Sequence, residues 1–505
     1  HVQNIQKMKN NYSILKTMSL LFVLTFTGTA CKKDLGYVPE SYLSPEQVYS
    51  DEAGSEAGIT GIYRQLQQLK RSEHGLFGNI GTDEGTTSTF VPGWGGYWLQ
   101  LSAVNSYDAA QLSSQNDPVF FYWQRCYLGI ANANTAIRFL PVANIGESVK
   151  NRLLGEAKFF RAVFYFYLVQ FFGAVPMPTE VAVPTYDKDG YPRTPEADVY
   201  KLIEDDLIFA IANLRNKSAM AIGRTNKEAA TALLGKVYLT TKNYAAAQTT
   251  LEPLMNTTEA SLLPNYADLF KEENENNAES LFEIQYSAES GYTQNLTEML
   301  GSWALGGDKP GGGGQVALVT NYAANIFPAN DSIRKDASLR SVYYDPNTGA
   351  PGYLNWWGDV GKPHMKKFEQ KQGQQANVST KNIGYLRYAD AILMYAEALN
   401  ELNRTNDALP QINKIRTRAK APTYSGLTQQ QLRDTIVVER MKELMFEGWR
   451  WFDLKRWGLL VSRTNSYNAA AAGKITAPKN LVLPIPFREF ANNRTLKPSD
   501  QNPGY

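Results

Sequence analysis

A short segment near the C-terminus concentrates charged and aromatic residues of the kinds found at catalytic centres. Residues 439–458 read ERMKELMFEGWRWFDLKRWG. A carboxylate pair such as Glu447 and Asp453 is what a glycoside hydrolase uses as acid and as base or nucleophile. Each of the two, however, has arginine three residues away, so pairing along a helix is the simpler interpretation. The sequence therefore predicts no catalytic residues here and a partly buried structural ion network made of Glu443, Glu447, Arg450, Asp453 and Arg456.

Aromatic side chains are the second group with binding chemistry, and they make up 12% of the chain. Two stretches rich in glycine, threonine and rings, residues 81–118 and 286–380, show no helical period and are interpreted as loop regions. Flat rings cover the apolar faces of sugars, while neighbouring polar groups bond the hydroxyls. The alternative for each ring is burial in the core. The candidate ligand-binding residues are Trp94, Tyr97 and Trp98 in the first stretch and Tyr292, Trp303, Trp356 and Trp357 in the second.

Trp94 is the strongest of these candidates because of its neighbours. It stands in PGWGGYW, where glycines on both sides offer its ring little local packing. An exposed large ring usually marks an interaction site. The sequence therefore predicts that Trp94, with Tyr97 or Trp98 beside it and Trp303 from the second stretch, forms a platform for sugar rings.

Metal and nucleic-acid chemistry have little support in the composition. The chain has two cysteines and three histidines, and no HExxH or CxxC motif occurs. The formal net charge of +2 over 505 residues gives no basic surface for nucleic acid. No metal site, no cofactor and no nucleic-acid partner are expected.

Much of the remaining chain is predicted to form helices that pack in pairs. Segments 229–254 and 395–415 carry small and apolar residues at tetratricopeptide spacing, and a weaker pair spans 151–172 and 196–214. Each helical hairpin needs neighbours to bury its faces, so these units are expected to stack. The spacing of apolar residues also predicts a helix over 385–399 that is packed on two sides.

The predicted fold is mostly α, with a tetratricopeptide-like helical-hairpin scaffold, irregular loop-rich insertions and short strands. The scaffold lies mainly in 119–285 and 381–460. Near its end, Thr428 is a predicted N-cap, and Gln431 can complete a capping box with it. Residues 43–505 are expected to form a single domain.

The N-terminus has the features of an export signal. Lys9 and Lys16 flank the short apolar run 20–26, and small residues follow it, so residues 1–30 are predicted to be a signal peptide. Cys31 then stands where a bacterial lipobox places the acylated cysteine, with Gly28 where the usual pattern has leucine. Residues 31–42 would form the lipidated tether, and translation is expected to start at Met8.

Several segments resemble the SusD/RagB family of outer-membrane lipoproteins, which bind nutrients, mostly glycans. The ER, EL, FEG, W, DL and RWG groups of 439–458 resemble its C-terminal signature. RAVFYFYLVQFFGAVPMP, GRTNKEAATALLGKVYL, YLRYADAILMYAEALNEL, INKIRTRA, LPIPFREF and QNPGY follow the family's order over about residues 35–505. The resemblance implies a helical scaffold whose insertions hold the ligand site, and a TonB-dependent transporter of the SusC type as partner.

Three functions follow as hypotheses. The first is a non-enzymatic, glycan-binding lipoprotein, anchored in the outer membrane and facing the cell exterior, that delivers oligosaccharide or another nutrient to the transporter. The second is a lipoprotein that binds a peptide or protein in the groove of the tetratricopeptide stack. The third, a glycoside hydrolase, needs two carboxylates facing each other across a cleft.

Overall fold

The structure is a computed structural model, and the compact unit that begins at Val48 contains nearly all of its described residues. A separate unit ends at Gln47. Cys31, the signal segment and the tether lie outside the described residues, so their assignment stays a prediction, as do the domain boundaries. The structure describes residues 43–181, 190–289, 291–302, 312–344, 351–353, 359, 362–371 and 373–505.

Helices dominate the described residues, as predicted. None of these helices is long and apolar enough to span a membrane. In chain order they are α1 Pro45–Val48, α2 Glu52–Lys70, α3 Gly96–Ser106, α4 Asp117–Phe139, α5 Glu147–Phe172, α6 Glu196–Asn213, α7 Lys227–Thr240, α8 Tyr244–Met255, α9 Leu296–Leu300, α10 Asn321–Ala324, α11 Ser332–Ser338, α12 Tyr388–Glu401, α13 Thr405–Arg418, α14 Gln429–Leu444, α15 Arg450–Arg456, α16 Leu460–Tyr467 and α17 Phe487–Asn492.

The described strands are short and pair two by two. All five pairs are antiparallel: β1 with β5, β4 with β10, β2 with β3, β6 with β9, and β7 with β8. Their bounds are β1 Gly85–Thr87, β2 Val175–Pro176, β3 Arg193–Thr194, β4 Ser280–Ile284, β5 Ala317–Val319, β6 Leu339–Arg340, β7 Val342–Tyr344, β8 Pro351–Tyr353, β9 His364–Met365 and β10 Ile383–Arg387.

The predicted stack of helical hairpins is confirmed. Helices α5, α6, α7, α8, α12 and α13 pack in that order, each against the next. Lys242 and Asn403 take left-handed backbone conformations in the turns of the second and third hairpins. Between α7 and α8 the helices approach so closely that a Cβ at Gly235 would lie 2.5 Å from Leu251. Small residues therefore set the hairpin spacing, as the sequence pattern indicated.

Helix α5 forms the centre of the core. From Phe159 to Phe172 every residue is buried, because α2, α4 and α6 surround this half of the helix. An apolar helix buried on all sides is stabilised by area removed from water, at about 25 cal/mol per Å². The core continues without interruption into the C-terminal segment, where Trp449, Trp451 and Phe452 are buried.

Two segments differ from the sequence interpretation. Residues 81–118, interpreted as a loop, contain helix α3, which begins at Gly96 and ends where Tyr107 turns left-handed. Tertiary packing of Leu101 and Val104 stabilises a helix that its glycine-rich start concealed. The predicted helix 385–399 begins only at Tyr388, because residues up to Arg387 extend as β10 and pair with β4.

The C-terminal signature is likewise not a continuous helix. Helix α14 starts at the predicted capping box of Thr428 and Gln431, which is confirmed. It ends at Leu444, and α15 starts only at Arg450. Between them Phe446 and Gly448 have positive φ angles, of 61° and 89°. This break turns the two helices away from a common axis and changes which charges can meet.

Candidate functional site

The break between α14 and α15 holds the segment that precedes the first aromatic loop. The Trp451 amide donates to Gly78 O at 2.9 Å, and the Gly448 amide donates to Asn79 Oδ1 at 2.8 Å. The Phe446 amide donates to Glu84 Oε1 at 2.9 Å. At Gly78, where φ is +94°, a Cβ would lie 2.3 Å from Gly448 O. Only glycine permits this approach.

A buried ion pair strengthens the same junction. Arg450 donates from Nε and Nη2 to the two oxygens of Asp83, both at 2.7 Å, and Arg463 bonds Asp83 as well. Burial alone would raise the pKa of Asp83, but the two arginines hold it below its ordinary value. Asp83 therefore stays ionised two residues before β1, near the start of the first aromatic loop region.

Five aromatic side chains form one surface, which we call the Trp94 surface: Phe90, Trp94, Tyr97, Trp98 and Phe121. The Trp94 ring lies 5.1 Å from Phe90 and 5.3 Å from Trp98, in tilted and edge-on arrangements. Tyr97 lies 5.8 Å from Trp98 and 6.3 Å from Phe121. Trp94 is 40% exposed and Phe121 36% exposed. The rings thus support one another while keeping part of their area in solvent.

Backbone geometry keeps this surface open. Trp94 ends a 3₁₀ turn over Val91–Trp94, and Gly95 and Gly96 follow with φ angles of 67° and 46°. A Cβ at Gly95 or Gly96 would have no neighbour within 4 Å. The glycines therefore turn the chain without covering the ring, as the sequence indicated.

Tyr97 is the polar member of the Trp94 surface. Its hydroxyl donates to Glu73 Oε1 at 2.9 Å and lies 3.2 Å from His74 Nε2. Burial, reinforced by Glu73, raises the pKa of Tyr97, so the hydroxyl stays protonated. Burial also lowers the pKa of His74. The ring is fixed in place by these contacts to the residues that follow α2.

A polar groove of about 360 Å³ adjoins the Trp94 surface. Pro92 from the 3₁₀ turn and Leu99 from α3 line it on the aromatic side. Hydroxyl, amide and ammonium groups line the rest, including Thr86, Ser88, Thr89, Asn321, Lys362 and Asn468. Such groups bond sugar hydroxyls as donors and acceptors.

Residues far apart in the chain build the opposite wall of the groove. Asn468, just after α16, donates to Thr82 O at 3.1 Å and to Asn105 Oδ1 at 3.0 Å. Tyr467, which lines the groove, stacks on Tyr322 with ring centroids 4.0 Å apart. Sequence reasoning missed Tyr467, Asn468 and Phe121. No local motif marks them, and apolar helical spacing places Phe121 in an ordinary helix.

The groove offers binding groups but little for hydrolysis. Among the described residues, Asp108 is the one carboxylate that lines it. Hydrolysis of a glycosidic bond needs two. Within the described part of the chain, no group of three His, Cys, Asp or Glu side chains is placed to hold a metal ion.

The five residues of the predicted ion network, Glu443, Glu447, Arg450, Asp453 and Arg456, all form ion pairs, but mostly with partners other than those predicted. Arg450 pairs with Asp83 and not with Glu447 or Asp453. Glu447 pairs with Lys367 and Arg387 instead. The break after Leu444 explains the difference, because residues on either side of it no longer share a helix face.

The remaining pairs show how many segments this network joins. Glu443 pairs with Arg334, Arg387 and Arg418, and all of these side chains are buried. Asp453 pairs with Arg440, and its pairing with Arg456 is the one predicted contact along a helix that is present. The other partner of Arg456 is Glu397 on α12. These residues connect helices and strand β10, which indicates a structural role; Arg387, together with Glu447, also lines a cavity of about 90 Å³ that shares no lining residue with the groove.

The other candidate rings are not all brought together. Tyr292 lies in a different pocket, beneath the guanidinium of Arg64 at 4.2 Å. This candidate from the second stretch therefore lies apart from the Trp94 surface. Trp303, Trp356 and Trp357 lie outside the described residues, so their part in a platform stays a prediction.

Family models match two long segments of the chain. The model described as "Starch-binding associating with outer membrane" matches residues 46–239, and the SusD family model matches residues 339–505. The first segment contains the Trp94 surface, and the second contains the C-terminal signature that holds it. Together the models cover both sides of the junction at Gly78.

Relatives that match over most of the chain agree with these models. A SusD-like protein of Formosa agariphila is 28% identical over 97% of this chain and 99% of its own. The starch-binding protein SusD of Bacteroides thetaiotaomicron is 23% identical over 71% of this chain and 73% of its own. A solved laminarin-binding SusD-like protein superposes with a TM-score of 0.76, at 26% identity, over 90% of this chain and all of that one. The chain belongs to the SusD/RagB family.

Proposed function

We propose that the chain is a cell-surface lipoprotein that captures oligosaccharides and passes them to a TonB-dependent outer-membrane transporter. The glycan binds at the Trp94 surface and in the adjoining groove, and no reaction is catalysed. The observation that carries the proposal is the exposed ring of Trp94, supported edge-on by Trp98 beside a groove of hydroxyl and amide groups. A relative named for laminarin binding, at 26% identity, supports a carbohydrate ligand.

The geometry accounts for how a sugar chain would be held. The exposed part of Trp94 covers the apolar face of one sugar ring, and burial of an aromatic ring contributes about 1–3 kcal/mol. Thr86, Ser88 and Asn321 then bond the hydroxyls that point into the groove. Because these contacts are few and partly solvated, the affinity is expected to be micromolar or weaker, about −8 kcal/mol.

Calorimetry on Trp94→Ala tests the proposal. An array of neutral glucans, including laminarin and starch oligosaccharides, first identifies a ligand for the wild-type protein. Loss of one ring that supplies about 1–3 kcal/mol should then weaken binding about 10- to 100-fold without changing the melting temperature. Ile208→Ala, which shortens an exposed apolar side chain on α6, is the matched control and should bind as the wild type does.

Three outcomes would contradict the proposal. Wild-type affinity in a stable Trp94→Ala protein removes Trp94 from the site. Binding of peptides in the grooves between the helical hairpins, with no glycan bound, would favour the alternative of a peptide-binding lipoprotein. Release of sugar from any bound glycan by the purified protein would favour a hydrolase.

The anchoring part of the proposal has its own test. Lipidation at Cys31 holds a protein on a membrane because each buried methylene contributes about 0.8 kcal/mol and more than one acyl chain is attached. Cys31→Ala should move the protein from the membrane fraction to the soluble fraction after a carbonate wash. Cys126→Ala, at a buried cysteine of α4, is the control and should stay with the membrane. A Cys31→Ala protein that stays there too would contradict the lipoprotein assignment.

A further inference from the structure

A second pocket, of about 530 Å³, opens on another part of the molecule and shares no lining residue with the groove. One wall is the outer face of α2, where Thr60 and Gly61 leave space for a ligand. The opposite wall is the chain after β4, which contributes Gln285 and Ser287. A volume of this size accommodates a small ligand.

An arginine and an exposed tyrosine form the centre of this pocket. The guanidinium of Arg64 lies 4.2 Å from the ring centroid of Tyr292, which is 43% exposed. Ile222, at the rim, is 85% exposed. A Cβ at Gly61 would meet nothing within 4 Å, so the floor beside Arg64 is open. The pocket thus combines a cation, an aromatic face and an exposed apolar side chain.

One of the two arginines in this pocket has no ion-pair partner among the described carboxylates. Arg64 and Arg224 line it, and no carboxylate does so among the described residues. Arg224 is neutralised by ion pairs to Glu56 and Glu156. Arg64, by contrast, bonds the amide oxygen of Gln67 and forms no ion pair with a described carboxylate.

Neighbouring residues add further positive charge. Arg71, directly after α2, and Arg125, on the adjacent α4, also form no ion pair with a described carboxylate. Burial lowers the pKa of Arg64, and Arg71 and Arg125 lower it further, although Tyr292 opposes them. An anion bound at Arg64 would relieve this unfavourable electrostatic energy.

We propose that this pocket is a second binding site, which takes an acidic sugar residue bearing a carboxylate or a sulfate. The guanidinium of Arg64 binds the anionic group through charge-assisted hydrogen bonds. The ring of Tyr292 and the side chain of Ile222 cover the apolar face of the sugar, and Thr60 and Gln285 bond its hydroxyls. The proposal goes beyond glycan capture at the Trp94 surface and does not depend on it.

Calorimetry with three probes tests the site: tetragalacturonate for a carboxylate, a sulfated carrageenan tetrasaccharide for a sulfate, and neutral laminarihexaose. Arg64→Gln should weaken binding of the acidic probe about 10- to 100-fold, as expected when a hydrogen bond to a charged group is lost. Binding of a neutral glycan at the Trp94 surface should not change. Arg138→Gln, at an exposed arginine of α4, is the charge-matched control.

A pair of substitutions at Ile222, an exposed residue, tests the site without changing the core. Ile222→Glu places a negative charge at the exposed rim and should weaken binding of the acidic probe by repulsion, whereas the neutral Ile222→Gln should weaken it less. Preference for tetragalacturonate or for the sulfated probe identifies the anionic group.

The proposal is overturned if neither acidic probe binds the wild-type protein. It is also overturned if Arg64→Gln and Arg138→Gln bind the acidic probe equally, or if Ile222→Glu binds it as well as Ile222→Gln. Because the neutral probe reports on the Trp94 surface separately, failure at one site does not mimic failure at the other.

Discussion

Two tryptophan-rich segments of this chain have similar composition and opposite roles. In the first, PGWGGYW, the ring of Trp94 is partly exposed beside a polar groove. In the second, GWRWFDLKRWG, Trp449 and Trp451 are buried in the core. The residues between the rings decide the difference. In the first segment, glycines turn the backbone and leave the ring uncovered. In the second, charged side chains form ion pairs with distant segments, and these segments pack over the rings and bury them.

Ring count alone therefore does not identify a binding surface. Arg450 brings Asp83 against the second segment, and Arg456 brings Glu397. Each such pair needs good geometry and further hydrogen bonds, because desolvation of two charges is costly. Substitutions in the first segment should therefore lower the affinity for glycan, whereas substitutions in the second should lower the stability of the fold.

The largest effect is expected from Arg450→Ala. It removes two charge-assisted hydrogen bonds from buried Asp83 and leaves Arg463 as the remaining cationic partner among the described residues, and breaking a buried ion pair costs about 3–5 kcal/mol. Thermal or denaturant unfolding measures this loss. Arg404→Ala, which breaks an exposed pair with Asp407, is the control and should cost less than about 1 kcal/mol. Equal melting temperatures for the two variants would show that the second segment is solvated.

An intermediate effect is expected from acid. Burial opposes ionisation of Glu443 and Asp453, but nearby arginines hold the pKa of each well below its ordinary value. A lowered pKa contributes stability that is present above the unfolded-state value and is lost as the pH falls towards the folded-state value. The free energy of unfolding should therefore fall as the pH drops below about 4.5, by up to about 1.4 kcal/mol per pH unit for each carboxylate, and the melting temperature should fall with it.

Melting curves between pH 7 and pH 3 measure this dependence. Glu443→Gln removes one of the responsible carboxylates, so its melting temperature should be lower at pH 7 and should change less with acid. A wild-type melting temperature that is constant down to pH 3 would mean that these carboxylates contribute no pH-dependent stability.

The smallest effect is expected from Tyr97→Phe. It removes the hydroxyl that donates to the Glu73 carboxylate but keeps the ring, so the stability loss should be about 1.5 kcal/mol, the low end for a hydrogen bond to a charged group, because both side chains are partly exposed. Glycan affinity should stay close to that of the wild type, because the ring contacts remain. Calorimetry and thermal unfolding check both points. A loss as large as that of Arg450→Ala would place Tyr97 with the buried network and would weaken the comparison.

Local patterns predicted the parts of the fold that depend on neighbouring residues. The cap at Thr428 and Gln431 uses residues three apart, and the hairpins of α7–α8 and α12–α13 follow spacings within one repeat. Helix α3 was missed because its first residues favour a turn, and packing in three dimensions overrides that preference.

The site was less predictable, because distant residues build it. Trp94 could be singled out from its glycine neighbours, since backbone freedom is a local property. The groove wall at Asn468 and the partner of Arg450 lie more than 350 residues away from the segments they contact. Tyr292 lies in another pocket because of the path that the backbone takes, and amino-acid composition does not predict that path.

The junction at Gly78 has a consequence for the order in which the protein becomes functional. Asn79 and Gly448 are bonded across 369 positions of the chain. A ribosome that has not yet reached Gly448 has already made Trp94, Tyr97 and Trp98, but not the segment against which their loop is held. Closing so long a loop is slow compared with forming hairpins between neighbouring helices. The hairpins α5–α6 and α7–α8 can thus form early, while the aromatic surface depends on a segment that is synthesised about 200 residues after α8.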